Sequence, residues 1–200
     1  MDASYRGWPS IEAIVGAVFD QNLTQQLSKS SLDALLFFIS RSDECGRIIA
    51  WLSTMTGSSF SVCGDLSYQD FVFLSEQALA YEDDYCDYQL AASFRKCESL
   101  DERAISILNQ FFRKQESYTR QTVIHVFQHF GLPETIELAI ELWRTDDCEF
   151  AKLSCLHALK HFPNAKPVFD GYLKEYQNMY DVHSEDDRLS HMRQLRSKNC

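Results

Sequence analysis

The chain has 200 residues, 45% hydrophobic and 24% charged, which provides material for a real core and excludes global disorder. A net charge of −10 leaves no basic footprint for nucleic acid, disfavours an anionic membrane surface, and favours a basic protein as partner. With only four prolines and seven glycines, the composition favours helices joined by short turns over a sheet rich in tight hairpins.

Three helices are predicted in the first 52 residues. Pro9 and Ser10 open the first, which carries Ile11, Ile14, Val15, Val18 and Phe19 at helical spacing. The second covers Ser31 to Ile39, where Leu35-Leu36-Phe37-Phe38-Ile39 is apolar all round and must be deeply buried or lie against a partner. The third follows Asp43 and holds Ile48, Ile49, Trp51 and Leu52. A loop rich in Ser, Thr and Gly is expected over 53–67. Ser67 and Asp70 then have the spacing of a helix N-terminus, and Phe71, Leu74, Ala78 and Leu79 give that helix an apolar stripe.

From Tyr85 a repeat is legible. His125, His129 and Phe130 recur as His157, His161 and Phe162, a spacing of 32 residues, the size of one helix-turn-helix unit. First helices align as Leu90/Phe94/Cys97, Val123/Phe127/Phe130 and Cys155/Leu159/Phe162. Second helices align as Ile105/Leu108/Phe112, Ile136/Ala139/Trp143 and Phe169/Tyr172/Tyr176. The expected joints are a capping box over Ser99 to Glu102, a stop and restart over Gly131 to Glu134, and a longer turn from Pro163 to Pro167. A unit this short cannot bury its apolar face alone, so neighbours must stack. The pattern over 68–183 resembles the HEAT-like family of α-helical repeats, including its degenerate bacterial members, with 184–200 as a capping helix or tail. The resemblance implies an all-α, right-handed α-solenoid that binds proteins and is only occasionally a catalyst; no catalytic role and no cofactor are expected here.

The seven cysteines are odd in number and scattered, with no Cys-x-x-Cys, and read as reduced thiols of a cytoplasmic protein. No secretory signal or membrane span is expected. Nucleophile elbows, phosphate-cradling glycine loops and dinucleotide fingerprints are absent from the sequence.

Three groups of residues are candidates for contact with a partner. On a wheel centred on Phe127 and Leu159, His125, His129, His157 and His161 fall about 160 to 200 degrees away, as an outward stripe. Two His four apart share a face, as a metal needs, but no third ligand has matching spacing. Glu82, Asp83, Asp84 and Asp87 form one acidic cluster, and Asp146, Asp147 and Glu149 form a second, 64 residues on (82 to 146). Such charges commonly stabilise a helix N-terminus, and together they also make a rim for Lys or Arg. Tyr81, Tyr85 and Tyr88 interleave with the first cluster, and at least one of Tyr85 and Tyr88 is expected to be buried.

The expected function is that of an acidic module that occludes a basic partner; its specific form is an immunity protein neutralising a cognate toxin. The alternatives are a metal- or ligand-binding protein using the His stripe, and an adaptor that docks its Leu35 to Ile39 run on a neighbour.

Overall fold

The computed structural model describes residues 27–41 and 67–180. The helices expected before residue 27 and after Asp43, the loop over 53–66 and the segment 184–200 lie outside these residues. The chain divides into two compact units, Met1–Leu132 and Pro133–Cys200. Among the described residues there are eight α-helices and no strand, so the fold is all-α.

The described part of the first unit starts with α1 (Lys29–Ser40) and α2 (Tyr68–Leu79). Then come α3 (Asp84–Ser93), which tightens into a 3-10 turn over Phe94–Lys96, α4 (Glu102–Arg113) and α5 (Ser117–His129). Helix α3 packs on both α1 and α5, while α4 packs on α2 and α5. Most of the apolar run in α1 is consumed here: Leu35, Leu36 and Ile39 are buried. Phe37 points outward, with the Arg41 guanidinium 5.3 Å from its ring.

The local signals act at atomic scale. The Ser67 hydroxyl accepts the Asp70 amide at 3.1 Å and donates to the Asp70 carboxylate at 2.5 Å. At α4 the cap is Asp101, whose carboxylate accepts the Ala104 amide at 2.8 Å, two residues later than the box expected from Ser99. Asp outcompetes Ser here because a carboxylate both accepts the amide and complements the helix dipole. Helix α5 ends on a Schellman motif. Gly131 takes φ 67°, its amide reaches the Gln128 carbonyl, and the Leu132 amide reaches that of Phe127, each at 3.0 Å.

The second unit holds α6 (Glu134–Thr145), α7 (Glu149–Leu159) and α8 (Lys166–Tyr180), the last preceded by a 3-10 turn over Pro163–Ala165. Helix α7 packs against both α6 and α8. The predicted core of the first helices is buried at Leu90, Phe94, Val123, Phe127, Cys155 and Leu159. In α4 and α6 the buried stripe is wider than predicted, extending one residue toward the N-terminus. Ala104, Ile107 and Phe111, and likewise Thr135, Leu138 and Leu142, join Leu108, Phe112, Ala139 and Trp143, while Ile105 and Ile136 are half-buried. A broad apolar stripe rather than a single row faces the core, as packing on two neighbours requires. In α8 only Tyr176 is buried.

Candidate functional site

The two acidic clusters have different fates. In the first unit a sharp turn joins α2 to α3, with Glu82 at φ 57°, in the left-handed region that side chains other than Gly rarely adopt. The turn aims successive acids in different directions. Glu82 is exposed. Asp83 is the cap of α3, its carboxylate accepting the Cys86 amide at 3.0 Å. Asp84 is exposed in the first helical turn. Asp87 is 1% exposed, which removes it from the surface on which the sequence placed it. Its Oδ2 pairs with Lys114 at the end of α4, while Oδ1 is a buried oxygen with no hydrogen-bond partner. Burial pushes the Asp87 carboxyl up to about 6, although the Lys114 ammonium opposes that rise.

Tyr85 is 68% exposed and Tyr88 half-buried, so neither forms part of a dry core. They face the start of α5. Glu116 caps that helix, its two carboxylate oxygens accepting the amides of Tyr118 at 2.9 Å and Thr119 at 2.5 Å. Tyr118 is 57% exposed. Asp84, Tyr85, Tyr88, Glu116 and Tyr118 together line an open groove of about 350 Å³. Sequence reasoning missed Glu116 and Tyr118. A signal was present: Glu116 holds the same cap position before its helix as Asp83 holds before α3.

The second cluster is stitched into its own unit. Asp146 accepts the Cys148 amide at 2.9 Å, and Glu149 accepts the Tyr176 hydroxyl at 2.8 Å. Asp147 stands in solvent, with the Lys152 ammonium 3.9 Å away. Lys152 itself is buried, donating to the Trp143 carbonyl with its ammonium 5.0 Å from the Trp143 ring. Trp143 stacks on Tyr172 at 4.3 Å and donates its indole N–H to Glu175 at 3.1 Å.

Of the histidines, His129, His157 and His161 are exposed and His125 is half-buried. His125 Nδ1 lies 3.4 Å from the Gln128 amide oxygen. The His157 and His161 rings lie 5.2 Å apart, and His129 stands edge-on to Phe130 at 4.9 Å. The pairs belong to different units. Among the described residues, no group of three or more His, Cys, Asp or Glu is placed to hold a metal ion.

The thiols of Cys86, Cys97 and Cys148 are free. Burial pushes Cys86 up, helped by the Asp87 and Asp83 charges, and pushes Cys97 up to about 12, so neither supplies a thiolate nucleophile. No described helix is long and apolar enough to cross a membrane. The chain matches no family model, no curated protein and no solved structure.

Proposed function

We infer that this chain is a non-enzymatic protein-binding module of HEAT-like, solenoid build, which receives a basic partner on the α3 and α5 face of its first unit. The observation that carries the reading is the groove, where three tyrosines and two carboxylates converge on an open surface of a chain with net charge −10. Tyr offers contact area at low entropic cost, and the carboxylates supply attraction and register to a cation. The exposed Glu82 extends the acidic field. The specific form of this function is immunity, with the module covering the active site or substrate channel of a basic toxin. Free thiols among the described cysteines support a reducing, cytoplasmic setting. The His pairs and the second acidic cluster are peripheral in this reading, since the rings beside that cluster are packed rather than open: Tyr172 stacks on Trp143 and Tyr176 is buried.

Where an adjacent reading frame encodes a basic protein, the test is association with that protein. Affinity is expected to fall by at least about tenfold between about 50 and about 300 mM salt, because the Debye length shortens over that range. Asp84→Lys and Glu82→Lys are expected to slow association. Asp83 is left intact, since reversing it removes the cap of α3. Binding indifferent to salt and to both reversals overturns the electrostatic reading. Unchanged toxicity on co-expression overturns the immunity form.

A further inference from the structure

We propose that the groove between α3 and the start of α5 is a receptor for one arginine side chain of the basic partner. This rests on the reading above and adds the identity of the anchoring residue. Two features make the groove specific for a guanidinium. The first is its lining of aromatic rings: Tyr85, Tyr88 and Tyr118 come from two helices that pack on each other, and Tyr85 and Tyr118 keep most of their surface open. A planar, weakly hydrated guanidinium stacks on such faces, whereas an ammonium is a compact, strongly hydrated point charge.

The second feature is the carboxylate pair at the rim. Glu116 is held in place by two amides of its own helix, at 2.9 and 2.5 Å, so its orientation does not depend on a ligand. Each of its oxygens retains acceptor capacity after one such bond. Asp84 is exposed one helix away. The five guanidinium N–H donors lie in the plane of the group and can address carboxylates while that plane lies flat against a ring; an ammonium has only three donors and no flat face to stack. The cations nearest Glu116 in sequence make contacts of their own: Lys114 pairs with Asp87, and Arg113 and Arg120 lie over the Phe112 ring at 5.6 and 4.8 Å. The groove is much larger than one side chain, leaving room for the backbone of the segment that carries the arginine.

The experiment titrates the full chain with two soluble hexapeptides of equal charge, one carrying arginines and the other lysines at the same places. Amide and tyrosine ring shifts are followed by NMR. The expected result is tighter binding of the arginine peptide by about fivefold or more, the scale of a stacked cation–π contact. Shifts should centre on Tyr85, Tyr88 and Tyr118, and the preference should disappear in Tyr85→Ala and in Tyr118→Ala. Both rings are largely exposed, so these variants keep the core. Equal binding of the two peptides, or shifts centred elsewhere, overturns the arginine site and leaves the basic-partner reading standing. Binding of neither peptide overturns both.

Discussion

The two acidic clusters look alike as sequence and differ as structure, and the difference lies in what neighbouring aromatics do. Around 146–149, the tyrosines of α8 fold back on the cluster. Tyr176 bonds Glu149, and Tyr172 stacks on Trp143, which in turn covers Lys152. The charges there hold the unit together. Around 82–87, Tyr85 faces outward and meets Tyr118 across a groove, while only Asp83 and Asp87 are used internally. Acidic residues beside tyrosines therefore leave a surface open to a partner only where the rings themselves remain exposed.

The contrast can be broken most severely at Trp143. Trp143→Ala removes the stack on Tyr172 and the roof over Lys152, and is expected to cost about 3–5 kcal/mol in urea unfolding. Peptide binding at the α3 and α5 face should persist wherever the first unit stays folded. A loss below about 1 kcal/mol would mean that the second cluster is not structural.

Asp87 sharpens the comparison through pH. Its folded-state value, about 6, lies above the ordinary value of 3.8, so the folded protein binds this proton more readily than the unfolded chain. The stability it contributes is fully present below about pH 3.8 and is lost as pH rises through about 6. Relative to Asp87→Asn, the natural protein should gain on the order of 2 kcal/mol between pH 7.5 and 4.5, read from denaturant midpoints. A flat difference would show that the Lys114 pair cancels the burial cost, and one of opposite sign that it outweighs it.

The mildest test exchanges single hydroxyls. Tyr176→Phe is expected to lose about 1.5 kcal/mol with its bond to Glu149, measured by thermal or urea unfolding. Tyr118→Phe, at an exposed ring, should stay within about 0.5 kcal/mol. Equal losses in the two variants would erase the distinction between the clusters.

Much of the local structure was legible. Ser67 and Asp70 start α2 as their spacing requires, and Gly131 stops α5 because its turn needs a left-handed residue. The 32-residue echo located the first helices, since Leu90, Val123 and Cys155 are all buried. The cap at Asp101 and the extra breadth of the buried stripe in the second helices were not legible. Neighbouring polar residues compete for the same amide, and a wheel with apolar residues on both sides of its stripe does not state its centre. The groove escaped for another reason: Glu116 and Tyr118 lie about thirty residues from Tyr85 and become its neighbours only when α3 packs on α5.

By itself, the sequence determined that the described chain is helical, where some helices begin or end, and that acid predominates. Those properties rest on local spacing and composition, which each segment carries alone. Tertiary structure decided which carboxylates remain available. Packing buries Asp87 against Lys114 and commits Glu149 to Tyr176, while Asp84 and Glu116 are left beside open rings. Burial and hydrogen-bond competition are set by neighbours distant in the chain, so the chemistry of each acid follows from where its helix packs.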